Sequence, residues 1–315
     1  MGLNVSVVVP TYKRGKLLRN CLESLLKQDF PDNQYEIIVV EDGSHEGLKI
    51  VDSMPNNRVP IRYFRASHGG HASTYNFGLE KARNEIVAFI DDDAKAPPNW
   101  LSEMTRVLLE TRDRGVAGVG GRISSDYPND DLEVRLSARG DLLWTGFDAV
   151  VFGLRDVESL PGANMAFWRC ALLDIGGFDK RFSKTMSWRH ETDVSVRVRS
   201  KGHRLVFDSD LVVLHRAARW GDRLERIRPL VVWSMVRDDA YFRAKNFGWR
   251  GLLGAVFSAV RDARTRLTVS IVNLLLVFVH IIAWMPGAAL GLLQSNQSTM
   301  PGEAKNEITP RIRWR

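Results

Sequence analysis

Residues 86–93 read Ile86-Val87-Ala88-Phe89-Ile90-Asp91-Asp92-Asp93, so five apolar residues run directly into three carboxylates. The apolar run predicts a buried strand. Alternate side chains at a strand end share a direction, and we therefore expect Asp91 and Asp93 to point the same way. Adjacent carboxylates repel one another, which favours a divalent cation such as Mg²⁺ or Mn²⁺, held also by phosphate oxygens. A solvated acidic turn, or a helix cap before Pro97, is the alternative.

The segments before residue 86 alternate between strand and helix patterns. Strands are predicted at 5–9, 36–40 and 61–64, and helices at 16–28 and 73–82. This alternation favours an α/β fold, with a mostly parallel sheet flanked by helices. Ligands of such sheets bind beyond the carboxyl ends of the strands. The sequence therefore predicts a binding site where the first, second and fourth strands end.

Two of these strand ends carry residues suited to a nucleotide. Pro10, Thr11 and Tyr12 end the first strand and offer backbone groups and a stacking ring. Asp42, in the stretch 41–44 (Glu-Asp-Gly-Ser), can accept a hydrogen bond from a base N–H. Each motif alone is a weak signal, because Asp-Gly is also an ordinary turn.

Length and composition are those of a globular chain. The 315 residues fit one large α/β domain with an appendage, or two small domains. With 44% hydrophobic and 26% charged residues, collagen, coiled coil and wholesale disorder are excluded. The first apolar run, 5–9, is too short for the core of a signal peptide, so this part of the chain is expected in the cytosol.

The second part of the chain is first basic and then uncharged. Residues 195–266 hold 16 Lys and Arg against 7 Asp and Glu, and residues 267–293 hold none of these four types. About 20 apolar residues suffice for a membrane-spanning helix, and flanking arginines such as Arg266 suit an anionic leaflet. A buried core helix and a solvated basic helix face are the alternatives. Nucleic acid is disfavoured because no recognised nucleic-acid module is present.

An ordered series of motifs carries a family resemblance. It comprises 7–12, 38–44, 69–79, 86–93, 162–167, 176–179 and 191–193 with Arg197. Over about residues 4–216 the chain resembles the family 2 glycosyltransferases, which have the GT-A fold. The resemblance implies transfer of a sugar from a nucleotide-diphosphate donor, with inversion at the anomeric carbon.

The resemblance also implies roles for individual residues. Its donor-binding set comprises Pro10, Thr11, Tyr12, Asp42, Asp91 and Asp92. Asp42 would contact the base, while Thr11 and Tyr12 would form walls around base and ribose. Asp91 and Asp93 resemble the DxD motif, which holds the metal and the diphosphate. His215, after a strand at 211–214, is a further metal ligand or simply a histidine at a strand end.

Glu191 falls where the family places its catalytic base. The stretch Arg189-His190-Glu191-Thr192-Asp193 departs from the commoner Glu-Asp pair, because a histidine replaces the acidic neighbour. A protonated His190 would favour ionised Glu191. Asp193 is expected to pair with Arg197, four residues on along a helix. Trp188 is the candidate acceptor wall, although large aromatic residues are more often simply packed.

The resemblance, together with the charge pattern and the apolar run, implies a metal-dependent inverting glycosyltransferase. It would move a sugar to a hydroxyl or phosphate of a glycan or lipid-linked acceptor at the cytoplasmic face of a membrane. The alternatives are a nucleotide-sugar-binding subunit without catalysis and a nucleotidyltransferase. The predicted organisation is a catalytic domain at 1–220, a basic helical region at 221–266, a membrane segment at 267–293 and a polar tail at 294–315.

Overall fold

A computed structural model gives the fold of residues 3–55, 58–124, 132–144, 146–182, 184, 187–215, 229–266, 288–290 and 292–294. Within these ranges an α/β unit is followed by a long C-terminal helix.

The first half of the α/β unit is parallel, as the sequence predicts. Its strands are β1 (Val5–Thr11), β2 (Tyr35–Asp42), β3 (Ile61–Ala66) and β4 (Ile86–Ile90), in the order β3-β2-β1-β4. Its helices are α1 (Gly15–Leu25), α2 (Glu46–Asp52) and α3 (His71–Lys81). Every residue of β1, β2 and β4 is buried, which explains their continuous apolar runs.

The second half turns the sheet into a mixed one. Its elements are β5 (Ala94–Lys95), α4 (Trp100–Glu110), β6 (Val116–Ile123), β7 (Val134–Leu136), β8 (Leu142–Trp144), β9 (Arg155–Asp156), β10 (Asn164–Trp168), α5 (Arg169–Asp174), α6 (His190–Ser200) and β11 (Arg204–His215). The sheet continues β4-β10-β6-β11-β5, and β10 runs antiparallel to both of its neighbours. The sheet, expected to be mostly parallel, is thus mixed in its second half: β6 and β11 are parallel to each other, whereas β10 and β5 run antiparallel to their neighbours.

One predicted break in the chain is wrong. The sequence suggests two short strands around a turn at 208–210, whereas β11 is one strand with a register shift between Asp208 and Val212. The strand pairs with β6 on both sides of this irregularity, so the extra residues bulge out without ending the ladder. Its last residue, His215, pairs with Ala94 of β5 and thereby lies beside the acidic loop after β4.

A glycine permits this bulge to lie close to β6. A Cβ placed on Gly121 would collide with the carbonyl oxygen of Leu211, and it would lie 2.6 Å from Asn164 Nδ2. Asn164 donates from that nitrogen to the same carbonyl oxygen, at 2.8 Å. The close approach of the two strands therefore requires glycine at position 121.

The C-terminal helix α7 (Pro229–Arg266) is interrupted at Gly248, which has φ 54° and ψ −137°. Tyr241 and Phe242 of this helix form a small second core with Phe182, and Leu290 packs against it. Arg243 and Lys245 of this helix do not belong to a solvated basic face, which was the alternative for this region, because both pair with carboxylates of the α/β unit.

Most of the uncharged run, 267–287, and the tail 295–315 lie outside the described residues, as do the arginines between 216 and 228. In the part of the chain that the structure covers, none of the helices combines the length and the apolar character needed to cross a bilayer.

Candidate active site

The loop after β4 places two carboxylates against one imidazole. Nε2 of His215 lies 2.9 Å from Asp93 Oδ1 and 3.4 Å from Asp91 Oδ2. One ligand atom from each of the three residues falls within 4.8 Å of the others. Asp91 and Asp93 therefore point the same way, and the register of β11 against β5 brings His215 to them.

The three residues have the chemistry of a divalent metal site. Asp93 Oδ1 and His215 Nε2 are buried, and neither makes a hydrogen bond of normal geometry to the described residues. Buried polar atoms normally make hydrogen bonds, so buried ligand atoms that converge without them are typical of a cation site. Two carboxylate oxygens and an imidazole nitrogen suit Mn²⁺ or Mg²⁺ with added phosphate oxygens. The residues present therefore fit a metal.

Charge within the cluster shifts two pKa values in opposite directions. Burial opposes the charge of Asp91, but its contact with His215 and the nearby histidines outweigh burial and hold the pKa at about 2. Burial likewise opposes the charge of His215, yet Asp91 and Asp93 raise its pKa to about 9. Without a metal, the imidazolium is the counter-charge of the two carboxylates.

Asp92 is not one of the three residues that converge in the cluster with His215. It accepts hydrogen bonds from Thr11 Oγ1 at 2.7 Å and from Arg14 Nη1 at 3.3 Å. Burial raises its pKa to about 6, although Thr11 and Arg14 act against this rise. Arg14 also reaches Asp93 at 3.1 Å and is half exposed. Asp92 and Thr11, which are both predicted to face the donor, are thus hydrogen-bonded to each other.

The predicted base-binding residues meet at the ends of β1 and β2. Tyr12 is exposed, and its ring stacks on that of His68 at 5.0 Å between centroids. Asp42 is buried; it accepts hydrogen bonds from the N–H groups of Gly69 and Gly70, and its Oδ2 lies 2.9 Å from His68 Nδ1. His68 lies in an exposed loop, as expected for a glycine-rich stretch, and no local pattern predicted its contact with Asp42.

Pro10, predicted among the donor-binding residues, is a buried residue of β1. Its Cα is paired to Val40 of β2.

Glu191 lies in the first turn of α6, on another wall of the site. Its Oε2 is 2.8 Å from His190 Nδ1. Burial acts against ionisation of Glu191, but His190 outweighs it and lowers the pKa of the carboxyl. Burial lowers the pKa of His190, but the neighbouring Glu191 carboxylate raises it by more, so the pKa of the imidazole is raised overall. The expected effect of the histidine on its neighbour is therefore present in the structure.

Tyr75 of α3 joins the two walls. Its buried hydroxyl donates to Asp91 Oδ1 or to the carbonyl oxygen of Gly162, each at 3.3 Å. A Cβ added to Gly162 would lie 3.8 Å from Glu191 Cδ and 3.9 Å from the Tyr75 hydroxyl oxygen. The sequence predicts Tyr75 only as part of the helix at 73–82, and no local pattern indicates its contacts with Asp91 and Gly162.

The turn before α6 carries the predicted acceptor wall. Ser187 and Arg189 have φ values of 47° and 68°, which are unusual for residues other than glycine. The backbone N–H of Trp188 donates to Asp238 Oδ2 at 3.0 Å, and Arg189 Nε donates to Asp239 Oδ1 at 2.9 Å. The two carboxylates that accept these hydrogen bonds, Asp238 and Asp239, belong to α7, and no local sequence pattern indicated that this helix supports the turn.

Asp193 pairs with Arg197 at 2.8 Å, as predicted from their spacing. Asp193 is completely buried, and it also accepts hydrogen bonds from Lys245 and Asn246 of α7. Its role in the structure is therefore to join α6 to α7.

Known proteins resemble this chain in sequence. Residues 6–154 match the model of the family described as Glycosyl transferase family 2. Glycosyltransferase AglE of Haloferax volcanii is 26% identical over 233 residues, 70% of each chain. A Campylobacter jejuni protein named GalNAc(5)-diNAcBac-PP-undecaprenol beta-1,3-glucosyltransferase is 35% identical over 120 residues, 37% of each chain.

Solved structures share the fold. The mannosyltransferase PcManGT from Pyrobaculum calidifontis, in complex with GDP-Man and Mn²⁺, superposes with a TM-score of 0.54 at 16% identity, over 95% of this chain and 88% of its own. TarS 1–349 of S. aureus with UDP-GlcNAc gives 0.56 at 17% identity, over 94% and 92%. The family match, the curated relatives and these folds together show that the chain is a glycosyltransferase with a GT-A-like fold, whose residues 6–154 form a family 2 glycosyltransferase region.

Proposed function

We propose that this enzyme transfers a sugar from a nucleotide-diphosphate donor to a hydroxyl of a lipid-linked glycan, with inversion and with a divalent metal. The observation that carries the proposal is the pair of facing groups: the Asp91–Asp93–His215 cluster on one wall and the Glu191 carboxylate on another, with the Tyr75 hydroxyl between them. One group suits a diphosphate with its metal, and the other suits a proton from an acceptor.

The donor end follows from the ends of β1 and β2. Tyr12 offers an exposed ring beside His68 for stacking of a base, and Asp42 offers a carboxylate whose position is held by two backbone N–H groups. Two of the solved structures with this fold hold GDP-Man and UDP-GlcNAc, which are both nucleotide sugars. Asp91, Asp93 and His215 would hold the metal; the chemistry that it supplies when bound is neutralisation of charge on the leaving diphosphate.

The acceptor end follows from Glu191. An acceptor hydroxyl placed beside it passes its proton to the carboxylate, while its oxygen forms a bond to the anomeric carbon. The bond from that carbon to the diphosphate oxygen breaks, and the electron pair leaves with the nucleotide. A single displacement from the face opposite the leaving group inverts the anomeric carbon, and it needs no covalent enzyme intermediate.

Two kinds of observation support a lipid-linked acceptor: the names of relatives and an uncharged run in this sequence. Two relatives carry lipid-linked substrates in their names, the Campylobacter jejuni undecaprenol glucosyltransferase and a Haloferax volcanii glucosyl-dolichyl phosphate glucuronosyltransferase that is 26% identical over 224 residues. The uncharged run at 267–293 follows the arginine-rich end of α7. We infer that the enzyme works at the cytoplasmic face of a membrane.

The test is turnover by the full-length chain in detergent or vesicles, with a panel of nucleotide sugars and an undecaprenyl-diphosphate-linked acceptor. We expect release of nucleoside diphosphate, loss of activity with EDTA, and a product whose anomeric configuration, read by NMR, is opposite to that of the donor. Retention of configuration would overturn the single-displacement mechanism.

Two matched variants test the assignments. Glu191→Gln should remove transfer and leave donor binding in place, whereas Glu110→Gln, on an exposed helix face, should be neutral. Asp93→Asn should weaken metal-dependent donor binding, with Asp174→Asn as its control. Full activity in Glu191→Gln would remove the assigned base. The alternative of a non-catalytic subunit, motivated by the His190-Glu191 departure, predicts donor binding without transfer, and a nucleotidyltransferase predicts pyrophosphate release from a nucleoside triphosphate.

A further inference from the structure

His190 occupies a constrained and buried place at the start of α6. It follows the turn 187–189, in which Ser187 and Arg189 have positive φ values, and its side chain is 8% exposed. Its Nδ1 faces the carbonyl oxygen of Ser187 at hydrogen-bond distance. A carbonyl oxygen only accepts, so Nδ1 carries a proton whatever the charge of the ring. The charge of His190 is therefore decided at Nε2.

The contact between His190 and Glu191 depends on charge. Nδ1 lies 2.8 Å from Glu191 Oε2, yet this carboxylate oxygen makes no hydrogen bond of normal geometry to the described residues. The Nδ1 proton is directed at Ser187, so what holds the carboxylate is attraction between an imidazolium and an ionised carboxylate. His190 Nε2 is buried and has no hydrogen-bond partner among the described residues either.

Other ionisable groups surround this pair. The ring of Tyr75 lies 5.4 Å from that of His190, and the ring of His71 lies 6.0 Å away, both on α3. Asp91 after β4 contributes negative charge, and Arg189 acts on Glu191 from the preceding turn. Burial disfavours the imidazolium, but Glu191, the Ser187 carbonyl and Asp91 together raise the pKa of His190.

The turn that orients His190 is held by the C-terminal helix. Asp238 of α7 accepts a hydrogen bond from the backbone N–H of Trp188, and Asp239 accepts one from Arg189. These contacts fix the backbone between Ser187 and Arg189. Helix α7 thereby holds the Ser187 carbonyl in place, and this carbonyl fixes the plane of the His190 imidazole.

We propose that His190 is the positioning residue of Glu191: its imidazolium holds Oε2 against the wall and leaves Oε1 to take the proton of the acceptor hydroxyl. The inference rests on the proposed role of Glu191 as base. Glutamate has one more rotatable bond than the aspartate of the commoner Glu-Asp pair, and the ion pair restrains it. In the transfer step the proton moves from acceptor oxygen to Oε1, and His190 keeps both of its protons.

The first test compares kcat and donor KM across pH for the full-length enzyme and for His190→Gln, His190→Glu and His45→Gln. For His190→Gln we expect kcat about tenfold lower with donor KM nearly unchanged, and an acidic limb about 1 pH unit higher because the opposite charge is lost. The alkaline limb, set by loss of the His190 proton, should disappear. His190→Glu should move the acidic limb further up, and the exposed His45→Gln should match the parent. Parental kcat and pH limbs in His190→Gln would overturn the proposal.

The second test needs no turnover. NMR titration of the histidine rings should show His190 protonated above the ordinary pKa of about 6.5, and Glu191→Gln should lower that value. An unchanged His190 titration in Glu191→Gln would contradict the ion pair even if a His190 variant failed to fold. If Glu191→Gln itself remains active, the assignment of the base fails, while the NMR result still decides whether the pair exists.

Discussion

Lys245 of the C-terminal helix donates hydrogen bonds to Asp193 at 2.7 Å and to Asp179 at 2.8 Å. Asp193 lies two residues after Glu191 on α6 and is completely buried. Two buried carboxylates from separate parts of the α/β unit therefore share one cation from α7. The helix is a structural component of the Glu191 wall and not a free appendage.

Lys245→Met should destabilise the enzyme substantially. Breaking a buried ion pair by removing one partner costs about 3–5 kcal/mol, and here Arg197 and Tyr241 still satisfy the remaining carboxylates in part. We expect a loss of roughly 2–4 kcal/mol in the free energy of unfolding, measured by urea denaturation. Lys201→Met is the control, because its ion pair with Asp174 is exposed and should contribute less than about 1 kcal/mol. Equal effects of the two substitutions would contradict the buried role of Lys245.

Acid should weaken the same junction. Burial opposes the charge of Asp179, but Lys245 and Tyr241 outweigh it and lower its pKa to about 2. A carboxyl whose pKa is lower in the folded state than in the unfolded state stabilises the fold at pH values above the unfolded pKa. This stabilisation is lost as the pH falls towards the folded pKa. The free energy of unfolding should therefore decrease between about pH 4 and pH 2, by roughly 2 kcal/mol from this group.

The variant Lys245→Met separates this contribution from those of other carboxyls. Without the lysine the pKa of Asp179 moves back towards its ordinary value, so the dependence of stability on acid should become shallower. An unchanged slope in urea titrations at pH 2–4 would show that Asp179 does not report on the junction.

Tyr75→Phe should loosen the metal cluster without disturbing the core. The ring would stay packed against Phe89 and Phe178, while the hydroxyl that reaches Asp91 and the Gly162 carbonyl is lost. Partners of metal ligands typically contribute about 10–100-fold to metal affinity or activity. We expect a Mn²⁺ requirement at least about tenfold higher, measured as transfer rate against Mn²⁺ concentration. Tyr63→Phe, which loses a hydroxyl bonded to Glu41 away from the cluster, should leave that requirement unchanged.

Part of α7 should contact an anionic bilayer if the enzyme works at a membrane. Trp249 and Leu253 are exposed one helical turn apart, beside the exposed Arg250. Trp and Arg with an aliphatic neighbour suit a membrane interface. With Leu253→Cys labelled by an environment-sensitive dye in a Cys170→Ser background, anionic vesicles should shift the emission to shorter wavelength. Leu173→Cys, exposed on α5, is the control, and equal responses at both positions would argue against a specific membrane face.

Much of the sheet could be predicted from local sequence. The runs at 5–9, 36–40 and 86–90 are apolar because both faces of their strands are buried, and the acids that follow them lie at strand ends. The antiparallel insertion of β10 could not be predicted, since strand direction depends on which neighbour a strand finds and not on its own residues. The continuity of β11 could not be predicted for a similar reason: Asp208-Ser209-Asp210 has the composition of a turn, yet pairing with β6 continues on both sides.

Within the candidate site, residue types and spacing by themselves determined the acidic cluster, the common direction of Asp91 and Asp93 and the pairing of Asp193 with Arg197. These are local properties, set by the alternation of a strand and the pitch of a helix. Only the tertiary structure decided that Asp92 turns to Thr11 and Arg14, that Tyr75 links the cluster to the Glu191 wall, and that α7 supports the turn before Glu191. Each of those contacts joins residues 50 or more positions apart or depends on how whole elements pack, and no local pattern specifies such a contact.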